Sequence, residues 1–357
     1  MDLETIRRFD ESIRSLFREA LHQGWRDPRL AVFLLRVLRY QKLAVRRRQG
    51  WKNRGLHVPA FMIYSVTHRC NLHCAGCYAR SHERLQEPEL DTRGLRQVIA
   101  QAQDLGISVI LLAGGEPLAR RDLLGITREF PRIVFPLFTN GVLLDQTTVS
   151  ALKRQRQVVP VISLEGARRE TDARRGDGVH ELVHDAIGRL ERAGIFFGTS
   201  ITLTRENVDL VTGDRFVADL VAAGCRLFFF IDYVPVEGGT DALALTPGQR
   251  EREKEVIRSL RERFDALFVG FPAGEEEFGG CLAAGRGFVH VSPEGRLEPC
   301  PFSPFSDVSL KDTPLADALR SRLLQTIRDN ADALHETEGG CALWEKRYWV
   351  ASLLSSK

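Results

Sequence analysis

The feature that most constrains this chain is an alternation. From residue 61 to 234, short runs rich in β-branched and aromatic residues take turns with amphipathic stretches of helical period. The apolar runs are FMIYSV (61–66), SVILLA (108–113), IVFPLF (133–138), VVPVISL (158–164), IFFGTSITL (195–203) and RLFFFIDYV (226–234). Between or after them lie DTRGLRQVIAQAQDLG, RRDLLGITREF, DQTTVSALKRQ, VHELVHDAIGRLERAG, GDRFVADLVAAG and TPGQREREKEVIRSLRERF.

Six strand-helix units in series predict parallel strands joined by helical crossovers, since a parallel neighbour is reached only by a connection long enough to return to the starting end. The fold class is therefore α/β. Six units in roughly 200 residues suit a partial (β/α)6 barrel of the TIM type, or failing that an open doubly wound sheet. In either architecture, functional loops belong at the carboxyl ends of the strands.

The flanks read differently. Residues 1–57 repeat apolar positions at helical spacing in DESIRSLFREALHQG and LAVFLLRVLRYQKLAVRRR, until Gly50 and Gly55 break the pattern. This predicts an N-terminal helical appendage. Its second helix ends in Arg46, Arg47 and Arg48, either a solvated cationic C-terminus or a contact for an acidic partner or lipid headgroup. After residue 266, RGFVHVSPEGRLEPC reads as strand, Pro-Glu-Gly turn, strand. The expected division is 1–57, a barrel over 58–266, and a small hairpin-plus-helix domain over 267–357.

Lys and Arg number 50 against 47 Asp and Glu, a net charge of +3, which gives no reason to expect nucleic acid. The start MDLETIRRFDES is charged from residue 2 and does not read as a secretory signal. Leu30–Leu35 is closed off by Arg36 and Arg39, far short of the ~20 apolar residues that span a bilayer. No transmembrane segment and a cytoplasmic location are expected.

Seven cysteines form an odd set without an export signal, which favours metal or catalytic use over disulfides. Three of them, Cys70, Cys74 and Cys77, stand at C-x3-C-x2-C spacing in SVTHRCNLHCAGCYAR, directly after the first predicted strand. Structural zinc needs a fourth ligand, for which His68, His73 and His82 are at hand. A cubane iron-sulfur cluster with three protein thiolates leaves one iron open. The spacing favours the open cubane, and the triplet alone leaves zinc possible.

Three further motifs stand at strand ends. GGEPL (Gly114, Gly115, Glu116, Pro117) follows the second strand, TNG (Thr139, Asn140, Gly141) the third, and ISLEG (Ser163, Glu165, Gly166) closes the fourth. Together with the cysteine loop they resemble the radical S-adenosylmethionine enzymes, over roughly residues 61 to 350. Gly76 rather than an aromatic precedes the last cysteine and the aromatic is Tyr78, a variant found among relatives with C-terminal cluster domains.

The resemblance implies a 4Fe-4S cluster on Cys70, Cys74 and Cys77, with S-adenosylmethionine at its open iron. It also implies reductive cleavage to a 5′-deoxyadenosyl radical that abstracts a substrate hydrogen. GGEPL resembles the motif whose backbone binds the methionine amino group, and glycines allow close approach because no Cβ intervenes. Tyr78, Asn140, Ser163 and Glu165 are further cofactor-binding candidates. Arg174 and Arg175 could pair with the methionine carboxylate, or else with surface charges at the next helix. Thr202 and Thr204 could face the cofactor or cap the strand, and Asp232 and Tyr233 are candidates for the substrate pocket.

Cys281, Gly295 and Cys300 match the opening C-x9-15-G-x4-C of the SPASM and twitch auxiliary-cluster domains. The cysteine run of a full SPASM domain is missing and only Cys341 remains, so the resemblance implies a reduced, twitch-like domain with one auxiliary 4Fe-4S cluster on Cys281, Cys300 and Cys341. Its fourth ligand would be His290, His335, water or substrate; ordinary thiols or zinc are the alternative. Cys225 reads as a buried small hydrophobe.

The expected activity is that of a radical S-adenosylmethionine enzyme on an unidentified peptide or small metabolite, reduced by a donor such as flavodoxin or ferredoxin. Segment 1–57 does not read as a winged-helix leader-binding element with strands, so a ribosomal peptide is not favoured strongly over a metabolite or a lipid-associated substrate. No cobalamin-binding segment is visible. The alternative is a non-catalytic iron-sulfur or zinc-binding scaffold or sensor, against which the intact GGEPL and ISLEG elements argue.

Overall fold

The computed structural model describes residues 3–24, 28–81, 87–272, 275–334 and 341–355. His82 and His335 lie outside them. Nine strands form one sheet: β1 (Phe61–Ser65), β2 (Val109–Ala113), β3 (Phe135–Thr139), β4 (Val158–Leu164), β5 (Gly198–Leu203), β6 (Leu227–Asp232), β7 (Leu267–Phe271), β8 (Phe288–Val291) and β9 (Leu297–Glu298). Their order is β7-β6-β5-β4-β3-β2-β1-β8-β9.

The order decides between the two expected architectures. A doubly wound sheet reverses its strand order at a switch point. Here β1 to β7 follow one another without reversal, all parallel. With every crossover on the same side, the sheet curls into a partial barrel with its helices outside.

Two strands differ from the sequence expectation. β7 adds a seventh parallel strand, paired from Leu227↔Leu267 to Ile231↔Phe271. Its five residues, LFVGF, make a short run interrupted by Gly270. The predicted hairpin is present as β8 and β9, with Gly295 at positive φ in its turn. Yet β8 also joins the barrel, parallel to β1 from Phe61↔Phe288 to Tyr64↔Val291. Long-range pairing of this kind has no local sequence signal.

Local chemistry fixes the helices. Asp91 caps helix Thr92–Leu105 by accepting from Gly94 N, and Gly106 ends it in the left-handed conformation. Thr246 and Gln249 form a reciprocal capping box ahead of helix Pro247–Arg263, with Pro247 in the first turn. Phe228 of β6 stacks on Phe268 of β7 at 4.9 Å between centroids. Truncating such a fully buried ring costs about 3–5 kcal/mol.

The N-terminal segment forms α1 (Leu3–Gly24) and α2 (Pro28–Lys52). It packs against the barrel rather than standing apart. Ala20, Leu30, Leu34 and Val37 share a core with Val134, Val159, Leu227 and Leu267, which lie at or beside the amino ends of β3, β4, β6 and β7. Arg48, almost wholly buried, pairs with Asp10 at 2.5 Å and donates to Gly106 O at 2.6 Å, fastening both helices to the barrel. The helical pair thus covers the end of the barrel opposite the cysteine loop.

Candidate active site

Three connecting loops converge at the carboxyl ends of β1, β2 and β3. Gly115 N donates to Thr67 O at 2.7 Å, and Glu116 N to Arg69 O at 2.8 Å. A Cβ on Gly114 would lie 2.5 Å from Thr67 O, and one on Gly115 2.3 Å from Arg69 O. The glycine pair is therefore required by the close approach of the cysteine loop itself. These amides are spent on that loop, so an ammonium group, which donates, would find backbone carbonyls here.

Glu116 is buried and links β2 to β3. It accepts from Thr139 Oγ1 at 2.8 Å, Asn140 N at 2.8 Å and Leu118 N at 3.0 Å. Burial pushes its carboxyl up against these donors. Pro117 opens a 3-10 turn, Pro117–Ala119. Asn140 then reaches back to the cysteine loop: its Nδ2 donates to Asn71 Oδ1 at 2.8 Å and lies 3.9 Å from Cys70 Sγ.

Glu165, 2% exposed, is held by two arginines. Arg174 Nη1 donates to Oε2 at 2.7 Å; Arg175 donates to Oε1 through Nε at 2.9 Å and also through Nη2. The sequence left the arginines to a ligand carboxylate or to surface charges; they are engaged by this internal one. Burial pulls the Arg174 guanidinium down, but Glu165 more than offsets it and holds it raised.

Arg174 also clasps the cysteine loop. Ala75 N donates to Arg174 O at 2.9 Å, and Arg174 Nε donates to Ala75 O at 3.2 Å. Its guanidinium carbon lies 5.8 Å from the centre of the Tyr233 ring. Tyr233 in turn explains Gly76, whose φ is +62°: a Cβ there would lie 2.4 Å from Tyr233 Oη. The Tyr233 hydroxyl is buried with no hydrogen-bond partner among the described residues.

These loops line one cavity of about 1080 Å³. Its upper part is formed by Cys70, Cys74, Cys77, Tyr78, Gly114, Gly115, Glu116, Asn140, Ser163, Arg174, Arg175, Ser200, Thr202, Asp232 and Tyr233. Of the candidates named for the cofactor site, Pro117, Thr139, Gly141, Glu165, Gly166 and Thr204 are not on its wall, nor are Cys281, Cys300 and Cys341 of the second cysteine group. Thr204 instead engages Asn207, whose Nδ2 donates to both Glu165 O and Thr202 O at 2.9 Å. Ser163 and Ser200, paired across β4 and β5, face each other at 3.3 Å. Deeper in, the wall is mainly apolar, with Leu111, Pro136, Phe138, Phe229 and Val269 from the strands and Leu16, Phe17, Leu30 and Leu34 of α1 and α2, while Lys153, Arg156, Glu251, Lys254, Arg258 and Arg261 also line the cavity.

The thiols of Cys70, Cys74 and Cys77 lie within electrostatic reach of one another, and burial pushes Cys70 and Cys74 up. Cys281, Cys300 and Cys341 are likewise neighbours, with burial pushing Cys341 up to about 12 and the other two also well up. The negative charge of Glu275 adds to the rise of all three. Among the described residues, no three His, Cys, Asp or Glu side chains are close enough to share a single metal ion. Cys225 is buried and donates to Leu227 O at 3.5 Å, the inert role expected of it.

Tyr78 lies between the two cysteine groups. Its ring meets Phe302 edge-on at 5.3 Å, and burial, reinforced by Cys77 and Cys300, pushes its hydroxyl up. That hydroxyl bonds Ser65, whose Oγ is 2.8 Å from His290 Nε2; His290 Nδ1 is 2.6 Å from Glu298 Oε2. Both ring nitrogens of His290 are thereby engaged, by Ser65 and Glu298. Tyr233, Asn207 and Glu275 were weakly or not at all signalled by sequence, because what defines them is contact with distant residues.

A cavity with three thiols, a glycine-lined strand end and hydroxyl and amide groups, at the carboxyl end of a partial barrel, defines a cofactor-dependent enzyme. Residues 64–212 match the family described as the Radical SAM superfamily. The PqqA peptide cyclase of Gluconobacter oxydans is 30% identical, over 68% of this chain and 70% of its own length. The AdoMet-dependent heme synthase of Methanosarcina barkeri is 27% identical, over 81% of this chain and 89% of its own. SuiB of Streptococcus suis, solved bound to S-adenosylmethionine, shares the fold at a TM-score of 0.64 and 16% identity, over 86% of this chain and 74% of its own.

The chain belongs to the radical SAM superfamily. It is an enzyme of that superfamily, with a 4Fe-4S cluster and S-adenosylmethionine as its cofactors.

Proposed function

We propose that Cys70, Cys74 and Cys77 ligate the 4Fe-4S cluster, and that the enzyme abstracts hydrogen from a peptide or small metabolite whose reacting part is apolar. The observation that carries this reading is the shared cavity: the three thiols, Gly114, Asn140, Ser163 and Arg175 line its polar end, and most of the remaining wall is hydrophobic, with charged side chains such as Lys153, Arg156, Glu251 and Arg258 also on it. When bound, the cluster and S-adenosylmethionine supply a one-electron cleavage and a hydrogen-abstracting fragment.

The residues divide that work. The carbonyls of the Gly114–Gly115 turn accept from the amino group, and Ser163, Ser200 and Asn140 offer hydroxyl and amide groups to the sugar and methionine parts. Arg174 and Arg175, neutralised in part by Glu165, present their remaining donors to the carboxylate. Glu116 positions the TNG loop and Tyr78 buttresses the last cysteine. Apolar walls exclude water from the reacting carbon.

A second cluster on Cys281, Cys300 and Cys341 completes the proposal, with Tyr78 between the two cysteine groups and a flavodoxin- or ferredoxin-type protein as the electron donor. Relatives act on either a peptide or a heme-type compound by their names, so both substrate classes are carried forward. The test is iron content after anaerobic reconstitution. The proposal expects about eight irons per chain in wild type and about four in either triple alanine variant, Cys70/Cys74/Cys77 or Cys281/Cys300/Cys341. Four irons in wild type, unaffected by the second set of substitutions, would remove the auxiliary cluster.

A further inference from the structure

The outer face of α2 is unlike the rest of the surface. At 100° per residue, Val32, Leu35, Arg36, Arg39, Lys42, Leu43 and Arg46 fall within an arc of about 120°. All seven are exposed. The opposite arc carries Leu30, Leu34, Val37, Gln41, Ala44 and Arg48, which are buried against the barrel. The orientation of the helix is thus fixed by its packing, and the seven residues face outward together.

The composition of that face is specific. No Asp or Glu occurs between Pro28 and Lys52, although the whole chain carries nearly equal numbers of acids and bases. Among the described residues, Arg36, Arg39, Lys42 and Arg46 form no ion pair. Val32 is 48% exposed, Leu35 56% and Leu43 42%, three of the seven large hydrophobic side chains exposed among the described residues.

We infer that α2 docks the enzyme on an anionic lipid surface. Cations draw the helix to negative headgroups, while apolar side chains interleaved with them enter the headgroup–acyl boundary. A nucleic acid would satisfy the cations and leave Val32, Leu35 and Leu43 in water. No helix among the described residues is long and apolar enough to cross a membrane, so α2 would lie along the surface. Its inner face also supplies Leu30 and Leu34 to the cavity wall, which sets the floor of the apolar cavity beside the bilayer.

The test is co-sedimentation of the full-length protein with phosphatidylcholine vesicles, with and without phosphatidylglycerol. Wild type is expected to bind only the anionic vesicles. Each cation near the surface is worth about 1 kcal/mol, or about fivefold, so combining Arg36→Glu, Arg39→Glu, Lys42→Glu and Arg46→Glu lowers partitioning at least about a hundredfold. Combining Val32→Ser, Leu35→Ser and Leu43→Ser lowers it at least about tenfold. Thermal melts and iron content control for folding, and Arg39→Glu and Leu35→Glu serve singly if a combined variant fails them. Failure to bind anionic vesicles at low salt would overturn the inference. So would binding that the serine variant leaves unchanged, which would make the face a site for any polyanion.

Discussion

Ala75 and Arg174 hold each other twice, through Ala75 N to Arg174 O at 2.9 Å and Arg174 Nε to Ala75 O at 3.2 Å. Ala75 lies between Cys74 and Cys77, and Arg174 is anchored by Glu165 at the end of β4. The cysteine loop, although it follows β1, is therefore positioned from the far side of the cavity. Arg174→Ala leaves Glu165 with Arg175 alone and should cost up to about 3 kcal/mol. It should also speed iron loss to a chelator severalfold, followed by absorbance. Unchanged iron release would show that the loop needs no such clasp.

Gly76 and Tyr233 make a second, separable prediction. Gly76→Ala places a Cβ 2.4 Å from Tyr233 Oη and strains a φ of +62°. A loss of more than about 1 kcal/mol is expected. Tyr233→Phe removes the clashing oxygen and should recover part of that loss without curing the backbone strain. A double variant no more stable than Gly76→Ala would mean that the Tyr233 hydroxyl does not press on this position.

Gly115→Ala should be more damaging, because its Cβ would meet Arg69 O, a backbone atom, at 2.3 Å. The strand end and the cysteine loop must separate. Iron bound by the first cysteine group should fall, as read by iron content in a Cys281/Cys300/Cys341 alanine background, while the second group retains its own, as read in a Cys70/Cys74/Cys77 alanine background.

Iron loading should depend on pH in a stated direction. Burial pushes the Cys70 and Cys74 thiols up, so near neutrality the iron-free protein holds their protons and releases them on binding. Binding therefore strengthens as pH rises towards those values. The iron-free fold moves the opposite way: with folded values above unfolded ones, its native state binds the extra protons, and stability falls as pH rises through that window. Reconstitution at pH 7 and pH 8.5 checks the first sign, and melts of the iron-free protein carried upward from about pH 9, the ordinary thiol value, check the second.

Much of this was legible in the sequence. Six of the seven barrel strands in the consecutive run announce themselves by composition, and the cysteine loop, GGEPL, TNG and ISLEG all fall at the carboxyl ends where such loops function. What the sequence hid depends on separation along the chain. Glu165 seemed a ligand but is consumed by Arg174 and Arg175, nine and ten residues on. Gly115 suggested a surface for a ligand, whereas its immediate neighbour is Arg69, brought there by parallel pairing of β1 and β2. β7 was missed because its short run is interrupted by Gly270, and the pairing of the expected strand β8 with β1 was missed because β1 lies more than two hundred residues earlier.

The most direct test of the central claim is anaerobic. Reconstituted wild type and the Cys70/Cys74/Cys77 triple alanine variant are given dithionite and S-adenosylmethionine, and 5′-deoxyadenosine is measured. Formation by wild type and none by the variant, with iron on its second cysteine group intact, is the predicted result. No deoxyadenosine from fully loaded wild type, or equal amounts from both proteins, would contradict the assignment of these three cysteines to the catalytic cluster.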